Sequence, residues 1–280
     1  MTIDQLLKEV KSHARIDEDK IAVDVLLAHV LGKSKEELFI NGEDVVGNDQ
    51  VKKFMELYER YKDGEPVAHL TNSKEFFGLD FFVDKNVLIP RPETEMLVEK
   101  VIDEVKSDQK EVKILDVGTG SGNIAISLAH SISSAKIVAV DVSSEALEIA
   151  TKNAEQHGVM DQIELMVSDL LEEVEGEFDY IVANLPYIGE ERHNYVSKEA
   201  KKFEPHVALF GGSNGLMLYE KLFQQISEKR LKPRMLLGEF GFLQGEEMRD
   251  LLSKYFEQEE WEIVSDYASI ERMFVVNFNK

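Results

Sequence analysis

Short apolar runs alternate with helical stretches along the chain after residue 111. "VKILDVG" precedes "SGNIAISLAHSI", "KIVAVDVS" precedes "EALEIATKNAEQHG", and the runs "QIELMVSD" and "FDYIVANLPYI" follow them. This alternation is typical of βαβ units, in which helices cover both faces of a parallel sheet. It therefore predicts an α/β domain whose ligands bind beyond the carboxyl ends of the strands.

The chain before residue 65 has a helical pattern instead. Ile3, Leu6 and Val10 recur at the spacing of one helix face, and "DKIAVDVLLAHVLG" predicts a second helix that Gly32 ends. Aromatic residues on both sides of Gly78 in "EFFGLDFFVD" predict a short β-hairpin. The predicted division is a helical bundle at 1–64, a linker with the hairpin at 65–92, and the α/β domain at 93–280.

Charge limits the partners that the protein can take. The 280 residues include 54 acidic and 32 basic side chains, which gives a formal net charge of −22. Binding of nucleic acid without regard to sequence depends on lysines and arginines that displace counterions from phosphates. We therefore expect no direct binding of nucleic acid.

Other features narrow the class of protein further. Without cysteine there are no disulfides and no thiolate metal sites, and the seven histidines, which include His13 and His193, lack a metal-ligand spacing. The stretch "MTIDQLLKEVKSHARIDEDK" is too charged for a signal peptide, and no apolar run approaches the roughly 20 residues of a membrane span. We expect a cytoplasmic protein with no metal site and no membrane contact.

A glycine loop follows the first strand of the α/β domain. "LDVGTGSG" has the spacing G-x-G-x-G, which differs from the dinucleotide pattern G-x-G-x-x-G. Glycines at this place let the backbone approach a ligand closely, although a tight turn between strand and helix is the plain alternative. The predicted cofactor-binding residues of the loop are Gly118, Thr119, Gly120, Ser121 and Gly122.

Three acidic residues fall at or near the ends of three successive predicted strands. Asp141 ends the strand after the glycine loop, where a carboxylate accepts hydrogen bonds from ribose hydroxyls, or where it caps the next helix near Ser143. Asp116 would orient a cationic group, and Asp169 would bind the adenine amine with Leu170 against the ring. An adenosine with a positively charged substituent fits three acids, so the pattern favours S-adenosylmethionine over NAD.

The fourth predicted strand ends in Asn184, Leu185, Pro186 and Tyr187. The side-chain carbonyl of Asn184 and the backbone carbonyl of Leu185 would accept hydrogen bonds from a planar NH2 group and aim its nitrogen at a methyl donor. Pro186 would stiffen the turn, and Tyr187 would flank the substrate. Acceptors placed in this way stabilise the transition state of methyl transfer, whereas the alternative is a plain turn with a core tyrosine.

This turn resembles the motif (Asn/Asp)-Pro-Pro-(Tyr/Phe) of methyltransferases that modify planar amino nitrogens. Leu185 departs from that motif at its second position. The string Asn-Leu-Pro-Tyr itself resembles the ribosomal RNA adenine dimethyltransferases. An RNA adenine N6-methyltransferase is therefore the alternative, and the acidic composition opposes it.

Longer stretches resemble the release factor glutamine methyltransferases, also called PrmC or HemK. They are "EFFGLDFFVDKNVLIPRPETEMLVE" at 75–99, "EPHVALFGGSNGLMLYEKL" at 204–222 and "GEFGFLQGEEM" at 238–248. The resemblance implies a Rossmann-like class I S-adenosylmethionine-dependent methyltransferase domain, with a small N-terminal helical-bundle domain that recognises a protein substrate. A non-catalytic binding module is disfavoured, because the glycine loop and Asp141 are intact.

The resemblance also implies a reaction. A methyl group would pass from S-adenosylmethionine to the side-chain amide nitrogen of the glutamine in the Gly-Gly-Gln loop of peptide chain release factors 1 and 2, with the enzyme acting as a monomer. Leu88 or Phe77 would line the substrate pocket, beside the turn at 184–187. Arg91 is expected to pair with Glu93 or Glu95, with a contact to the substrate as the equal alternative, and Thr94 has no assigned role.

Overall fold

The computed structural model forms two compact units, Met1–Ser73 and Lys74–Lys280. The predicted linker at 65–92 is divided between them. Its first part forms a short helix of the first unit, and its second part forms the hairpin that begins the second unit. The structure describes residues 1–12, 16–105, 111–190 and 197–278.

The first unit is a bundle of helices, as its sequence pattern predicts. Its helices within the described residues are α1 (Ile3–Lys11), α2 (Asp17–Leu31), α3 (Lys35–Ile40), α4 (Asn48–Lys62) and α5 (Val67–Thr71).

Helix α2 is the centre of this bundle. Its Val23, Leu26 and Leu27 are completely buried, and α1, α3, α4 and α5 all pack against it. Gly32 ends α2 in the left-handed conformation, with φ of 62°. Because α5 packs on α2 and α4, the first unit extends past residue 64.

The second unit begins with an antiparallel hairpin of β1 (Lys74–Phe76) and β2 (Leu79–Phe81). Phe77 and Gly78 form its turn with positive φ angles, and the N–H of Phe77 donates to Oε1 of Glu95 (3.0 Å). Pro92 opens a single 3-10 turn that leads into the next helix, as expected for a proline at a first helical position.

A seven-stranded sheet forms the centre of the second unit, in the order β5-β4-β3-β6-β7-β9-β8. Strands β3 to β6 are parallel, as predicted, and β7 continues the parallel part, whereas β8 and β9 are paired antiparallel at one edge. The strands are β3 (Val112–Val117), β4 (Ala135–Asp141), β5 (Ile163–Val167), β6 (Tyr180–Ala183), β7 (Met235–Glu239), β8 (Glu260–Ser265) and β9 (Glu271–Asn277).

Helices cover both faces of this sheet. Every residue of β6 and β7 is buried, and because successive side chains point to opposite faces, both faces are shielded from solvent. The helices of the unit within the described residues are α6 (Glu95–Val105), α7 (Asn123–Ser131), α8 (Ser144–Gln156), α9 (Lys198–Phe203), α10 (His206–Leu209), α11 (Met217–Lys229) and α12 (Gly245–Tyr255).

The strand order reverses beside β3. The chain proceeds from β3 to β4 and β5 on one side, and β6 then returns to pair with the other side of β3. Loops that leave the carboxyl ends of two such strands diverge and leave a crevice for a ligand. Val117 and Ala183 are paired across β3 and β6, so the glycine loop and the Asn184 turn both begin at this crevice.

Gly122 is a position where a side chain should be strongly destabilising. Its φ is 80°, and an added Cβ would lie 2.8 Å from Cδ1 of Ile126 and 3.2 Å from Cβ of Ala150. We expect Gly122→Ala to lower the free energy of unfolding by about 2–4 kcal/mol, from backbone strain and overpacking together. Urea denaturation measures this change.

Gly158→Ala is the matched control for this variant. Gly158 also has a positive φ, of 67°, but no atom lies within 4 Å of an added Cβ. The control carries the backbone strain alone, about 1–2 kcal/mol. Equal losses in the two variants would show that the contacts with Ile126 and Ala150 carry no energetic weight.

Candidate active site

A cavity of about 340 Å³, here the first cavity, opens at the crevice between β3 and β6. The glycine loop, the ends of β4 and β5, the turn after β6 and the segment at 86–91 form its wall. The predicted site residues on this wall are Leu88, Gly118, Thr119, Gly120, Ser121, Asp141, Asp169, Leu170, Asn184, Leu185 and Pro186.

A second cavity of about 540 Å³ lies on the other side of the Asn184 turn. Tyr187 lines the second cavity, and the residues that line both cavities are Leu88, Arg91, Asn184, Leu185, Pro186 and Ala208. The turn after β6 is therefore the wall between two spaces. Gly122 lies behind the loop, where it packs against α7 and α8.

The glycine loop is held against β4 by its own backbone. The N–H groups of Gly118 and Thr119 both donate to the carbonyl of Val140, at 2.8 and 2.9 Å. Gly118 has φ of 76°, and a Cβ there would lie 3.0 Å from Cδ2 of Leu185. Glycine thus allows the loop and the Asn184 turn to approach each other closely.

Asp141 fixes the tip of the same loop. Its Oδ2 accepts the N–H of Gly120 and its Oδ1 accepts the N–H of Ser143, both at 2.9 Å. Burial raises the pKa of the Asp141 carboxyl, and these backbone donors oppose the rise. Ser143 itself caps α8 through its hydroxyl, so Asp141 faces the cavity and also orders the start of that helix.

Asp116 is completely buried beneath the loop. Its Oδ2 accepts the hydroxyl of Thr119 at 2.7 Å, whereas its Oδ1 has no hydrogen-bond partner among the described residues. Burial raises the pKa of this carboxyl to about 7. A carboxyl in this state is ionised more easily when a cation binds nearby.

Asp169 has a partner that the sequence did not reveal. Its Oδ2 lies 2.6 Å from Nζ of Lys221, which also contacts Glu172 at 2.9 Å. Leu170, next to it, has a positive φ of 55° and is 7% exposed on the cavity wall. An adenine amine at this edge would therefore meet a carboxylate that already forms an ion pair.

The side-chain amide of Asn184 is fixed from one side. Its Nδ2 donates to Oγ1 of Thr94 (2.9 Å) and to Oε2 of Glu239 (3.3 Å), and the Thr94 hydroxyl donates to the same Oε2 at 2.6 Å. Thr94 and Glu239 are 1% and 3% exposed. Neither the role of Thr94 nor the presence of Glu239 was predicted from the sequence, although Glu239 ends β7 inside one of the motifs that resemble the family.

Tyr187 is anchored to the same carboxylate. Its hydroxyl donates to Oε1 of Glu239 at 2.9 Å, and burial raises the pKa of Tyr187 well above its ordinary value. The phenol thus remains protonated at neutral pH and acts as a donor. Its polar end is occupied within the protein, so only the ring could flank a substrate.

Leu185 suits the turn for reasons other than stiffness. Its side chain is 2% exposed, within the core, and its N–H donates to the hydroxyl of Tyr219 at 3.3 Å. That hydroxyl also contacts the carbonyl oxygens of Ala183 and Glu239. A proline at position 185 has no N–H and could not make this bond. Tyr219, which the sequence analysis missed, therefore ties the turn to the ends of β6 and β7.

The expected ion-pair partner of Arg91 was wrong. Arg91 pairs with neither Glu93 nor Glu95, but with the buried Glu204 (2.6 Å), whose other oxygen accepts the N–H of Ile89 at 3.0 Å. Burying a carboxylate is costly unless it is paired and hydrogen-bonded, so the pair with Arg91 stabilises the buried Glu204 more than it would stabilise an exposed acid. Phe77 lies in the hairpin turn and lines neither cavity, whereas Leu88 lines both.

The described residues contain neither a metal-binding cluster nor a candidate membrane span. Within them, no group of three or more His, Asp or Glu side chains is arranged to hold a metal ion. His13 and His193 lie outside the described residues. In the same part of the chain, no helix is both long and apolar enough to cross a membrane.

Solved structures share the fold. The catalytic domain of hMettl16 in complex with the MAT2A 3'UTR hairpin 6 is 15% identical, with a TM-score of 0.59 and 83% of each chain covered. The N-terminal domain of human METTL16 in complex with SAH is 18% identical, with a TM-score of 0.53 and coverage of 91% and 94%. Residues 92–203 match the Methyltransferase small domain family. The protein is thus a methyltransferase with a Rossmann-like fold.

Relatives along the whole chain define the class more narrowly. Residues 5–71 match the PrmC N-terminal domain family. A release factor glutamine methyltransferase of Koribacter versatilis is 37% identical over 281 residues, which cover 98% of each chain. One of Bacillus subtilis is 32% identical over 286 residues, which cover 100% of this chain and 99% of that one. The chain belongs to the release factor glutamine methyltransferase family, which confirms the resemblance noted in its sequence.

Proposed function

We propose that the protein transfers the methyl group of S-adenosylmethionine to the side-chain amide nitrogen of the glutamine in the Gly-Gly-Gln loop of release factors 1 and 2. The reaction would take place in the cytoplasm, with the enzyme as a monomer. The observation that carries this proposal is the fixed amide of Asn184 on the wall shared by two cavities. One cavity would take the cofactor and the other the substrate loop.

The first cavity fits S-adenosylmethionine in size and charge. Its volume of about 340 Å³ falls in the range of small-molecule sites. Asp141 would accept the ribose hydroxyls, Asp169 and Leu170 would hold the adenine, and residues 118–121 would face the methionine part. A cationic ligand in this cavity would favour the ionised form of Asp116, which is buried beneath the loop. When bound, S-adenosylmethionine supplies an electrophilic methyl group.

The Asn184 turn would bind and orient the substrate amide. With Nδ2 held by Thr94 and Glu239, Oδ1 of Asn184 is left to accept one N–H of the glutamine NH2, and the carbonyl of Leu185 would accept the other. Pro186 would keep the turn in shape, and Leu88 would border the passage between the cavities. An amide nitrogen is a weak nucleophile, so positioning and oriented acceptors would supply the catalysis.

An RNA adenine methyltransferase is the less supported alternative. The net charge of −22 opposes nucleic-acid binding, and the relatives that span the chain are named for release factors. The two candidate functions differ in their substrate, which is a release factor in one and RNA in the other. Incubation with labelled S-adenosylmethionine and either an unmodified release factor or ribosomal RNA separates them. Label in the release factor alone supports the proposal, and label in RNA alone overturns it.

Asp141 offers a test of the cofactor site. Asp141→Asn replaces one of two acceptor oxygens by an NH2 group that would face a backbone N–H of Gly120 or Ser143. We expect the Kd for S-adenosylmethionine to rise by about 10- to 100-fold, since a hydrogen bond to a charged group is lost. Isothermal titration calorimetry measures the Kd.

Glu148→Gln is the control for this variant. Glu148 is exposed on α8, and its replacement removes the same negative charge from that region. Its Kd should match the wild-type value within about twofold, because an exposed charge is screened. Equal Kd values for Asp141→Asn and the wild type would contradict the assignment of Asp141.

A further inference from the structure

Glu239 lies behind the Asn184 turn and lines neither cavity. We propose that Glu239 and Thr94 are positioning residues, which hold the side-chain amide of Asn184 in one of its two orientations, with Oδ1 toward the substrate. This inference rests on the proposed function for what Asn184 binds. The orientation itself follows from the hydrogen bonds of the protein.

The donors and acceptors allow one arrangement. Three donors converge on Glu239: the Thr94 hydroxyl and Asn184 Nδ2 at Oε2, and the Tyr187 hydroxyl at Oε1. An ionised carboxylate only accepts hydrogen bonds. Burial raises the pKa of the Glu239 carboxyl, and the hydroxyls of Thr94 and Tyr187 oppose that rise by donating to its ionised form. Thr94 gives its one hydroxyl hydrogen to Glu239, so its oxygen faces Asn184 as an acceptor.

A turned-over amide would lose these bonds. Oδ1 of Asn184 would then face Oε2 of Glu239 and the lone pairs of Thr94, which are acceptors as well. The NH2 group of Asn184 would then point to the cavities. It would face the NH2 group of the substrate glutamine, and because both groups are donors, no hydrogen bond could form between them. The enzyme avoids this arrangement because Glu239 and Thr94 are buried and fixed before substrate binds.

Glu239→Gln tests the positioning role in the intact enzyme. The new amide can place an NH2 group where Oε2 of Glu239 lies, and that donor favours the turned-over orientation of Asn184, with Oδ1 away from the substrate. We expect kcat for methylation of the release factor to fall by about 100-fold, with KM for the release factor and Kd for S-adenosylmethionine changed less than about threefold. Glu220→Gln, which removes a surface carboxylate paired with Lys254, is the matched control and should keep the wild-type kcat.

Non-additivity separates positioning from a merely structural role. If Glu239 acts through Asn184, the double variant Asn184→Ala/Glu239→Gln should have the same kcat as Asn184→Ala alone. Thr94→Ser, which keeps the hydroxyl, should retain activity, whereas Thr94→Val should resemble Glu239→Gln. Independent, multiplied losses in the double variant would overturn the inference.

An NMR measurement needs no substrate and so stands apart from the proposed function. The side-chain NH2 signal of Asn184, assigned by its absence in Asn184→Ala, should exchange with water at least about tenfold more slowly in the wild type than in Thr94→Val. Equal exchange would overturn the inference even if the release factor is methylated. If exchange is slow but the release factor is not methylated, the orientation of Asn184 is supported and the release factor is ruled out as the substrate.

Discussion

Replacing Asn184 with alanine should lower kcat for methylation of a release factor by about 100- to 1000-fold, the range seen when one oriented hydrogen-bonding group is removed from a transition-state site. The side-chain oxygen of Asn184 would hold the glutamine NH2 as its nitrogen changes from planar to tetrahedral. Without it, the lone pair is no longer aimed at the methyl group. Single-turnover kinetics with saturating S-adenosylmethionine measures the loss.

Asn277→Ala is the control for this effect. Asn277 pairs with Met235 at the start of β7, which is the opposite end of that strand from Glu239 and the site. It should keep the wild-type rate. Asn184 also lines the first cavity, so its alanine variant should bind S-adenosylmethionine less than about tenfold more weakly. A fall in kcat below tenfold would contradict the role of Asn184.

The buried carboxyl of Asp116 should lower the free energy of unfolding more than any other group of the site, and the loss should grow as pH rises. Its pKa is raised to about 7 by burial, against about 3.9 in an unfolded chain. Below about pH 4 the carboxyl is protonated in both the folded and the unfolded chain, so its raised pKa does not change the free energy of unfolding. As pH rises from about 4 to about 7, the unfolded chain ionises first, and the free energy of unfolding falls by about 4 kcal/mol.

Asp116→Asn should remove this loss of stability. Between pH 5 and pH 8, the free energy of unfolding of the variant, relative to the ligand-free wild type, should rise by about 3 kcal/mol. Urea denaturation at the two pH values measures it, with Asp161→Asn, at an exposed position, as the control. A difference between variant and wild type that is the same at pH 5 and pH 8 would contradict the raised pKa.

The same carboxyl should link pH to cofactor affinity. A cation bound in the first cavity favours the ionised form of Asp116, so binding of S-adenosylmethionine should strengthen as pH rises through about 7. The cost that Asp116 imposes on the ligand-free protein is thus recovered in the complex. This trade of stability for binding is common at functional sites.

The sequence predicted four of the five parallel strands, and β7 was not among them. The rule for open α/β sheets placed residues 118–122 and Asn184 at the same edge of the predicted sheet. The antiparallel pair β8 and β9 was not anticipated. The substrate class came from the family resemblance of the longer motifs, because Leu185 in the Asn-Leu-Pro-Tyr turn by itself favoured an RNA substrate.

The groups that support the site could not be predicted from spacing. Thr94 and Glu239 are 145 residues apart in the chain, and their contact depends on how the 3-10 turn packs beside the end of β7. Tyr219 and Glu204 likewise find their partners through tertiary packing. A buried acid at the end of a strand was the available signal for Glu239, but many such acids only cap turns.

Peptide mass spectrometry of the release factor shows whether the Gly-Gly-Gln glutamine is the residue that the enzyme methylates. An unmodified release factor is incubated with the protein and S-adenosylmethionine, digested and fragmented. We expect one added methyl group on the side chain of the Gly-Gly-Gln glutamine, and no added methyl group when the enzyme carries Asn184→Ala. A methyl group on another residue, or an unmodified glutamine beside methylated ribosomal RNA, would contradict this expectation.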